Sequence, residues 1–333
     1  LGSKSVAIGD SALYAQNFTS ATNTYNIAIG YEAGNAVTTG TNNTLIGGLA
    51  GDAITTGGSN VALGTSALSA NTSASNNTAV GYQAGYTTTT GSYSTSVGYQ
   101  AHYSNTTGRN SALGYVALRS NTTGTNNTAV GDSALYSTTT GNYNTALGQE
   151  ALQANTTASN NTAVGYQAGY TNVAAGAQVF VGYKAGYATT NGGGSSTFVG
   201  YEAGLSNTTG GNNTALGRGS FLDNTTGSNN VGLGYDALAN NTTASNNTAV
   251  GYTAGYSNTT GAQNTFIGRQ ASYTNTTGLY NSSFGNDALF YNTTGGYNTA
   301  LGAAALNNNT TASNNTAVGY QAGYSSLTGN WNN

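Results

Sequence analysis

The chain has 333 residues, six basic and nine acidic side chains giving a formal net charge of −3, 50 glycines, 25 tyrosines, and no proline, cysteine or methionine. The lack of cysteine excludes disulfide staples and thiolate metal sites, and the six basic residues (Lys4, Arg109, Arg119, Lys184, Arg218, Arg269) lie too far apart to form an electrostatic footprint for nucleic acid or an anionic membrane. Low charge is compatible with disorder only where apolar residues are scattered, and here they recur in strict register. No run of about 18 apolar residues exists to insert in a membrane, and Leu1-Gly2-Ser3-Lys4 resembles neither an initiator nor a signal peptide.

In chain order, residues 1–29 form an irregular first repeat, after which the sequence settles into a 17-residue unit. The unit is clearest at Asn76-Asn77-Thr78-Ala79-Val80-Gly81-Tyr82-Gln83-Ala84-Gly85-Tyr86, followed by a Thr-rich stretch to Gly91. Taking Gly81 as position 0, equivalent glycines run from Gly9 and Gly30 to Gly302 and Gly319, nineteen in all. Their spacing is 17 except for 21 at the first step, 16 from Gly98 to Gly114 and 18 from Gly182 to Gly200. A fixed period of this kind marks a stacked array in which each unit touches only its neighbours, so one solenoid domain over 1–333 is expected. The register is still running at Asn333, so a longer natural chain is expected too.

Within each unit, positions −3 to −1 read as a strand: a β-branched or hydroxyl residue, a small residue, then a large aliphatic, with Phe284 the one aromatic at −1. A second short strand is expected after the glycine, where position +3 is Ala in eighteen copies and Ser220 in the other. Asn-Thr-Thr-Gly or a relative at +7 to +10 supplies a turn, and the length changes fall there, after Gly108 and at Gly192-Gly193-Gly194. The resulting expectation is an all-β, parallel β-solenoid with two short strands per coil. At about 4.8 Å per coil it would make a rod about 90 Å long.

Stacked coils bring identical residues above one another. Position −4 is Asn in fifteen copies, among them Asn43, Asn77, Asn127, Asn161, Asn247 and Asn315, which predicts an amide ladder in which each side chain bonds the next. Position +4 is Gly in eight copies and Leu in eight, and Tyr at +1 accompanies seven of the Gly copies. That correlation predicts that the Tyr ring covers the space Leu otherwise fills.

The opening Ser5-Val6-Ala7-Ile8-Gly9 and its relatives Asn-Thr-Ala-Val-Gly resemble the repeats of YadA-like heads of trimeric autotransporter adhesins. Gly141-Asn142-Tyr143-Asn144-Thr145-Ala146-Leu147-Gly148 resembles arrays in phage-type tail fibre proteins and bacterial surface proteins. The resemblance spans essentially the whole chain, but the adhesin unit is nearer fourteen residues, the extra ones here lying in the Thr-rich turn. It implies a left-handed β-roll, a homotrimer, and an extracellular fibre at a cell surface or on a virion that mediates host attachment.

Sites for chemistry are sparse. The single histidine, His102, occupies a +4 slot and reads as a structural substitution, and seven of the nine acids lie at +1 or +2 as a solvated face. No catalytic, metal or cofactor site is expected. Tyrosines fall in columns, ten at +1 and nine at +5. Tyr82, Tyr99, Tyr166, Tyr252 and Tyr320 are candidates for stacking on host glycans, the alternative being ring-on-ring packing along the stack. The Asn-x-Ser/Thr triplets at Asn105, Asn121, Asn155, Asn207 and Asn258 are glycosylation acceptors in a suitable pathway and turn chemistry otherwise.

Two functions are consistent with these features: a non-catalytic structural or adhesive fibre, and an ice-binding solenoid. The second is weakened because the threonines are consecutive rather than alternate, as in Thr138-Thr139-Thr140. A self-assembling extracellular matrix filament is a further alternative. Position −2 is mostly Ala and position −1 always apolar, so both faces of the strand read as buried. A coil with one interior covers only one of them. An obligate homo-oligomer is therefore expected, with either row at its axis, and Asp at Ala129, Ala146 and Ala163 should dissociate or unfold it.

Overall fold

The computed structural model describes residues 2–18, 22–190 and 194–325, so Gly192 and Gly193 of the longest turn lie outside it. Contacts divide the chain into two compact units, Leu1–Asn161 and Thr162–Asn333. Each is a parallel β-solenoid without helix among its described residues.

One three-residue strand per coil forms the ladder, nine strands from Val6–Ile8 to Thr145–Leu147 in the first unit and ten from Thr162–Val164 to Thr316–Val318 in the second. Pairing is parallel and in register: Thr128 faces Thr145, Ala129 faces Ala146 and Val130 faces Leu147. The irregular first repeat adds a two-residue pair, Gly2–Ser3 with Thr22–Asn23. The repeating glycine ends each strand at φ near +135°, and a Cβ on Gly64 would lie 2.5 Å from the carbonyl oxygen of Gly81 one coil on. Any side chain there would force adjacent coils apart.

The expected second strand is not a strand. Positions +2 and +4 both take positive φ, 51° at Gln83 and 52° at Leu68, and two left-handed residues separated by one break a pleat. This wall is a chain of turns that still bonds coil to coil: Gln83 N–H donates to the Thr65 carbonyl at 3.0 Å and Gly85 N–H to the Ala101 carbonyl at 3.0 Å. A left-handed Leu costs about 1 kcal/mol or more, but a fully buried Leu side chain contributes about 2–3 kcal/mol, so burial wins. Leu68, Leu118, Leu135 and Leu152 are all buried.

The interior is filled by positions −2, +3 and +4, and the space at the +4 glycines is taken by a large −2 or +4 side chain of the same or an adjacent coil, as by Leu68 beside Gly85. Phe180 and Phe198 at −2 go with Gly186 and Gly204 at +4, where an added Cβ would lie 2.2 and 2.6 Å from the rings. Ala129 and Ala146 go with Leu135 and Leu152, all with no exposed surface. The Tyr-over-Gly expectation therefore fails. A Cβ on Gly85 would meet Leu68, Thr88 and Ser96 inside the coil, whereas Tyr82 lies on the outside and stacks on Tyr99. Of the two rows proposed for an oligomer axis, −2 is inside the coil, and −1 faces outward and is partly to half exposed throughout.

Candidate functional site

Both amide columns lie inside the coils. At position −4 the side chain bonds backbone rather than its own kind: Asn43 Oδ1 accepts the Asn60 N–H at 3.0 Å while Asn43 Nδ2 donates to the Gly57 carbonyl at 2.9 Å. Asn77, Asn127 and Asn247 repeat the pattern, with Nδ2 on Gly91, Gly141 and Gly261. Asn161 and Asn315 end the columns of their units, donating N–H to Oδ1 of Asn144 and Asn298 at 3.0 Å. The amides thus clamp strand to turn, and side-chain pairs such as Asn144–Asn127 are the exception.

The ladder of amide on amide is at position +7. Nδ2 of Asn224, Asn241, Asn258, Asn275, Asn292 and Asn309 each donates to Oδ1 of the Asn one coil earlier at 2.7–2.9 Å, starting from Asn207. Each also holds its own turn, as Asn258 Nδ2 does on the Gly261 carbonyl at 2.8 Å. Asn105, Asn121, Asn155, Asn207 and Asn258 are 0% exposed, so the folded chain offers none of these nitrogens to a glycosyltransferase and the turn reading of those triplets holds. The signal in the sequence was an Asn column three residues before a Gly or Ala column.

The tyrosines form ladders on the outside. Along +1, Tyr82, Tyr99 and Tyr115 stack at 5.4 and 5.3 Å between centroids. In the second unit Tyr166, Tyr183 and Tyr201 stack at 5.4 and 5.0 Å. Arg218 continues that column, its guanidinium over Tyr201 and Tyr235, and Tyr252 stacks on Tyr235 at 5.2 Å. Along +5, Tyr86 stacks on Tyr103 at 5.0 Å, and the Arg119 guanidinium sits between Tyr103 and Tyr136, 5.2 and 5.9 Å from their centroids. Ring faces inside a run are covered by rings, each pair contributing about 0.5–1.5 kcal/mol beyond burial. Of the proposed glycan platforms, Tyr99 is mid-run, Tyr82, Tyr166 and Tyr252 end runs, and Tyr320, in the last described coil, is 75% exposed.

A shallow furrow of about 410 Å³ lies between the +1 and +5 columns over the +2 residues Gln100 and Ser133, beside Tyr99, Tyr115, Arg119, Tyr136 and Gln153. Another, of about 290 Å³, lies beside Gln270, Asp287, Phe290 and Tyr324. In the sequence the two Tyr columns are separate signals, and only the folded coil puts the Gln and Ser of +2 between them.

His102 is buried, as its structural reading expects. Its Nδ1 lies 3.3 Å from Ser96 Oγ and its Nε2 3.1 Å from Asn110 Nδ2, which also donates to the Gly124 carbonyl at 2.8 Å. Nε2 therefore accepts and Nδ1 carries the proton. Burial pushes the imidazole down to about 3. Asp236 is held above the usual carboxylate range by partial burial, with Arg218 opposing. Among the described residues no three His, Cys, Asp or Glu side chains are grouped to hold a metal, and no helix is long and apolar enough to cross a membrane. No protein-family model matches the chain, and no curated protein matches it.

Proposed function

We propose that the chain is a non-catalytic structural and adhesive fibre segment, extracellular at a cell surface or on a virion, that assembles as a homotrimer of left-handed β-rolls for attachment to a host. The observation that carries this reading is the outward aliphatic row at position −1, half exposed at Leu63, Leu113, Leu147, Leu216 and Leu301 and partly exposed at the intervening coils. Burying the remaining surface of each such side chain contributes roughly 1 kcal/mol, and nine or ten repeats in a unit sum to about 10 kcal/mol, comparable with the cost of association. Regular exposed apolar rows of this length belong to interfaces. The threefold number and the hand rest on the repeat resemblance alone.

Sedimentation equilibrium tests the assembly: a particle of three times 33.2 kDa is expected. Replacing Leu113, Val130 and Leu147 together by Asp should weaken assembly while leaving the circular dichroism of the fold. A wild-type chain that sediments as a folded monomer overturns the reading. A second reading keeps one observation in its favour. Thr at −3 and an aliphatic at −1 alternate outward on the strands, as at Thr128 and Val130, a regular array of the kind that orders water. The turn threonines do not serve it, because Thr122 Oγ1 and Thr139 Oγ1 donate to carbonyls one coil on. Unaltered ice growth in the presence of the purified chain removes this alternative.

A further inference from the structure

We propose that the recess beside Tyr115 is a subsite for one pyranose ring of a neutral glycan. The inference deepens the attachment reading by naming a ligand class and rests on that reading for its biological setting, but the site is built by four successive coils of one chain and needs no second chain.

Tyr115 is the last ring of its run. The next coil carries Asp132 at the same position, so one face of Tyr115 has no ring over it, and its exposure is 56% against 45% and 44% for Tyr82 and Tyr99. An open aromatic face in a furrow is a surface on which the C–H face of a sugar can stack, because the ring's negative quadrupole attracts the weakly positive hydrogens. Polar groups of both kinds surround it. Arg119 is fixed by its Nε donating to Gln100 Oε1 at 3.0 Å and by the two rings that sandwich the guanidinium. The Gln153 side-chain amide, which offers a donor and an acceptor together, has no hydrogen-bond partner among the described residues. Ser133 lines the recess and its Oγ donates to Asp132 Oδ1 at 2.7 Å, which puts a carboxylate acceptor on the coil beside Tyr115, outside the lining. Sugar hydroxyls donate and accept at once, so they suit a lining that mixes fixed donors with fixed acceptors.

The volume of about 410 Å³ falls within the range of small-molecule sites. Charge selects among sugars. Arg119 lines the recess, and two carboxylates, Asp132 and Glu150, stand outside its lining on the next two coils, so the local sum of charge is negative and suits an uncharged hexose or N-acetylhexosamine better than a sialic or uronic acid.

Saturation-transfer NMR of the purified chain, with neutral methyl pyranosides and oligosaccharides at millimolar concentration and a sialylated oligosaccharide beside them, tests the proposal. Saturable binding of at least one neutral sugar is expected. Tyr115→Ala should weaken it tenfold or more, and Gln153→Ala and Arg119→Lys severalfold, while Tyr297→Ala, at an exposed ring outside the +1 and +5 columns, leaves it unchanged. Circular dichroism and sedimentation of the same variants separate the two readings: a Tyr115→Ala chain that stays folded and assembled but loses the sugar isolates the subsite. If the wild type binds sugar as a monomer, the assembly reading fails and the subsite stands. Binding of no neutral saccharide, equal binding by Tyr115→Ala, or preference for the sialylated ligand overturns the subsite.

Discussion

Acid should open the array at one place. His102 is enclosed in the coil interior, its Nε2 facing the amide nitrogens of Asn110 at 3.1 Å and Asn121 at 3.5 Å. A proton added to Nε2 would point a donor at two donors, on top of the desolvation of the charge, so geometry and burial both lower the affinity for the proton. The folded value is about 3 against 6.5 unfolded, so between these limits the unfolded chain binds more protons than the folded one. Stability is then complete above the unfolded value and is lost as pH falls below it, at about 1.4 kcal/mol per unit. That amounts to about 3 kcal/mol at pH 4.5 and about 4 kcal/mol near pH 3. Because coils are stabilised by nearest neighbours, the loss should concentrate in the coils flanking Gly98–Gly114. Hydrogen exchange at pH 7 and pH 4.5, corrected for intrinsic rates, reads it as a selective drop in protection over residues 94–121. The variant Ser96→Ala with His102→Leu restores the Ala and Leu found together in coils such as Ala112 with Leu118, and should abolish the drop. Equal acid loss in variant and wild type would refute the reasoning.

The +7 amide column gives two further outcomes. Asn241→Ala removes the bonds to Asn224 Oδ1, to Asn258 Nδ2 and to the Ala244 carbonyl, leaves buried polar atoms unpaired, and should destabilise the second unit by about 2–4 kcal/mol in urea unfolding. Thr88 occupies the same column with a buried hydroxyl that has no partner, between Asn71 and Asn105. Thr88→Asn supplies an amide able to hold its own turn and should raise stability by about 1 kcal/mol, visible as a higher urea midpoint.

Much of the fold was legible because stacking forces like residues onto like, so a column in the alignment of coils is a column in space. The Val-rich triplets, the Ala row at +3 and the turn glycines are such cases. Leu at +4 was misleading for a physical reason. Leu seldom takes positive φ, so Leu118 and Leu135 read as strand residues, and only the interior that offsets the strain reveals them as turn residues. The amides misled in a different way. Asn43 and Asn258 are the same residue type in buried columns, yet the Oδ1 of Asn43 takes the backbone N–H of Asn60 in the next coil, whereas the Oδ1 of Asn258 takes the side-chain Nδ2 of Asn275. The glycan candidates were found as columns, but which ring ends a run depends on the residue in the adjacent coil, as Asp132 beside Tyr115 illustrates.

The sharing of interior volume between positions −2 and +4 of the same and adjacent coils bears on how such a chain can change length through its ancestry. A duplicated or deleted segment of 17 residues keeps every strand, clamp and glycine in register, so whole coils are the natural quantum of gain and loss. The new seam, however, brings together two interiors that did not grow up beside each other. A breakpoint that placed a Leu-bearing coil directly before the Phe198 coil would overfill the seam, because that ring also reaches Gly186 one coil earlier, and one that took from Gly255 both the Phe266 ring of the next coil and the Leu238 side chain of the previous one would leave a void. Recombination between coils is therefore filtered by a hidden size code, and surviving neighbours should carry complementary letters of it.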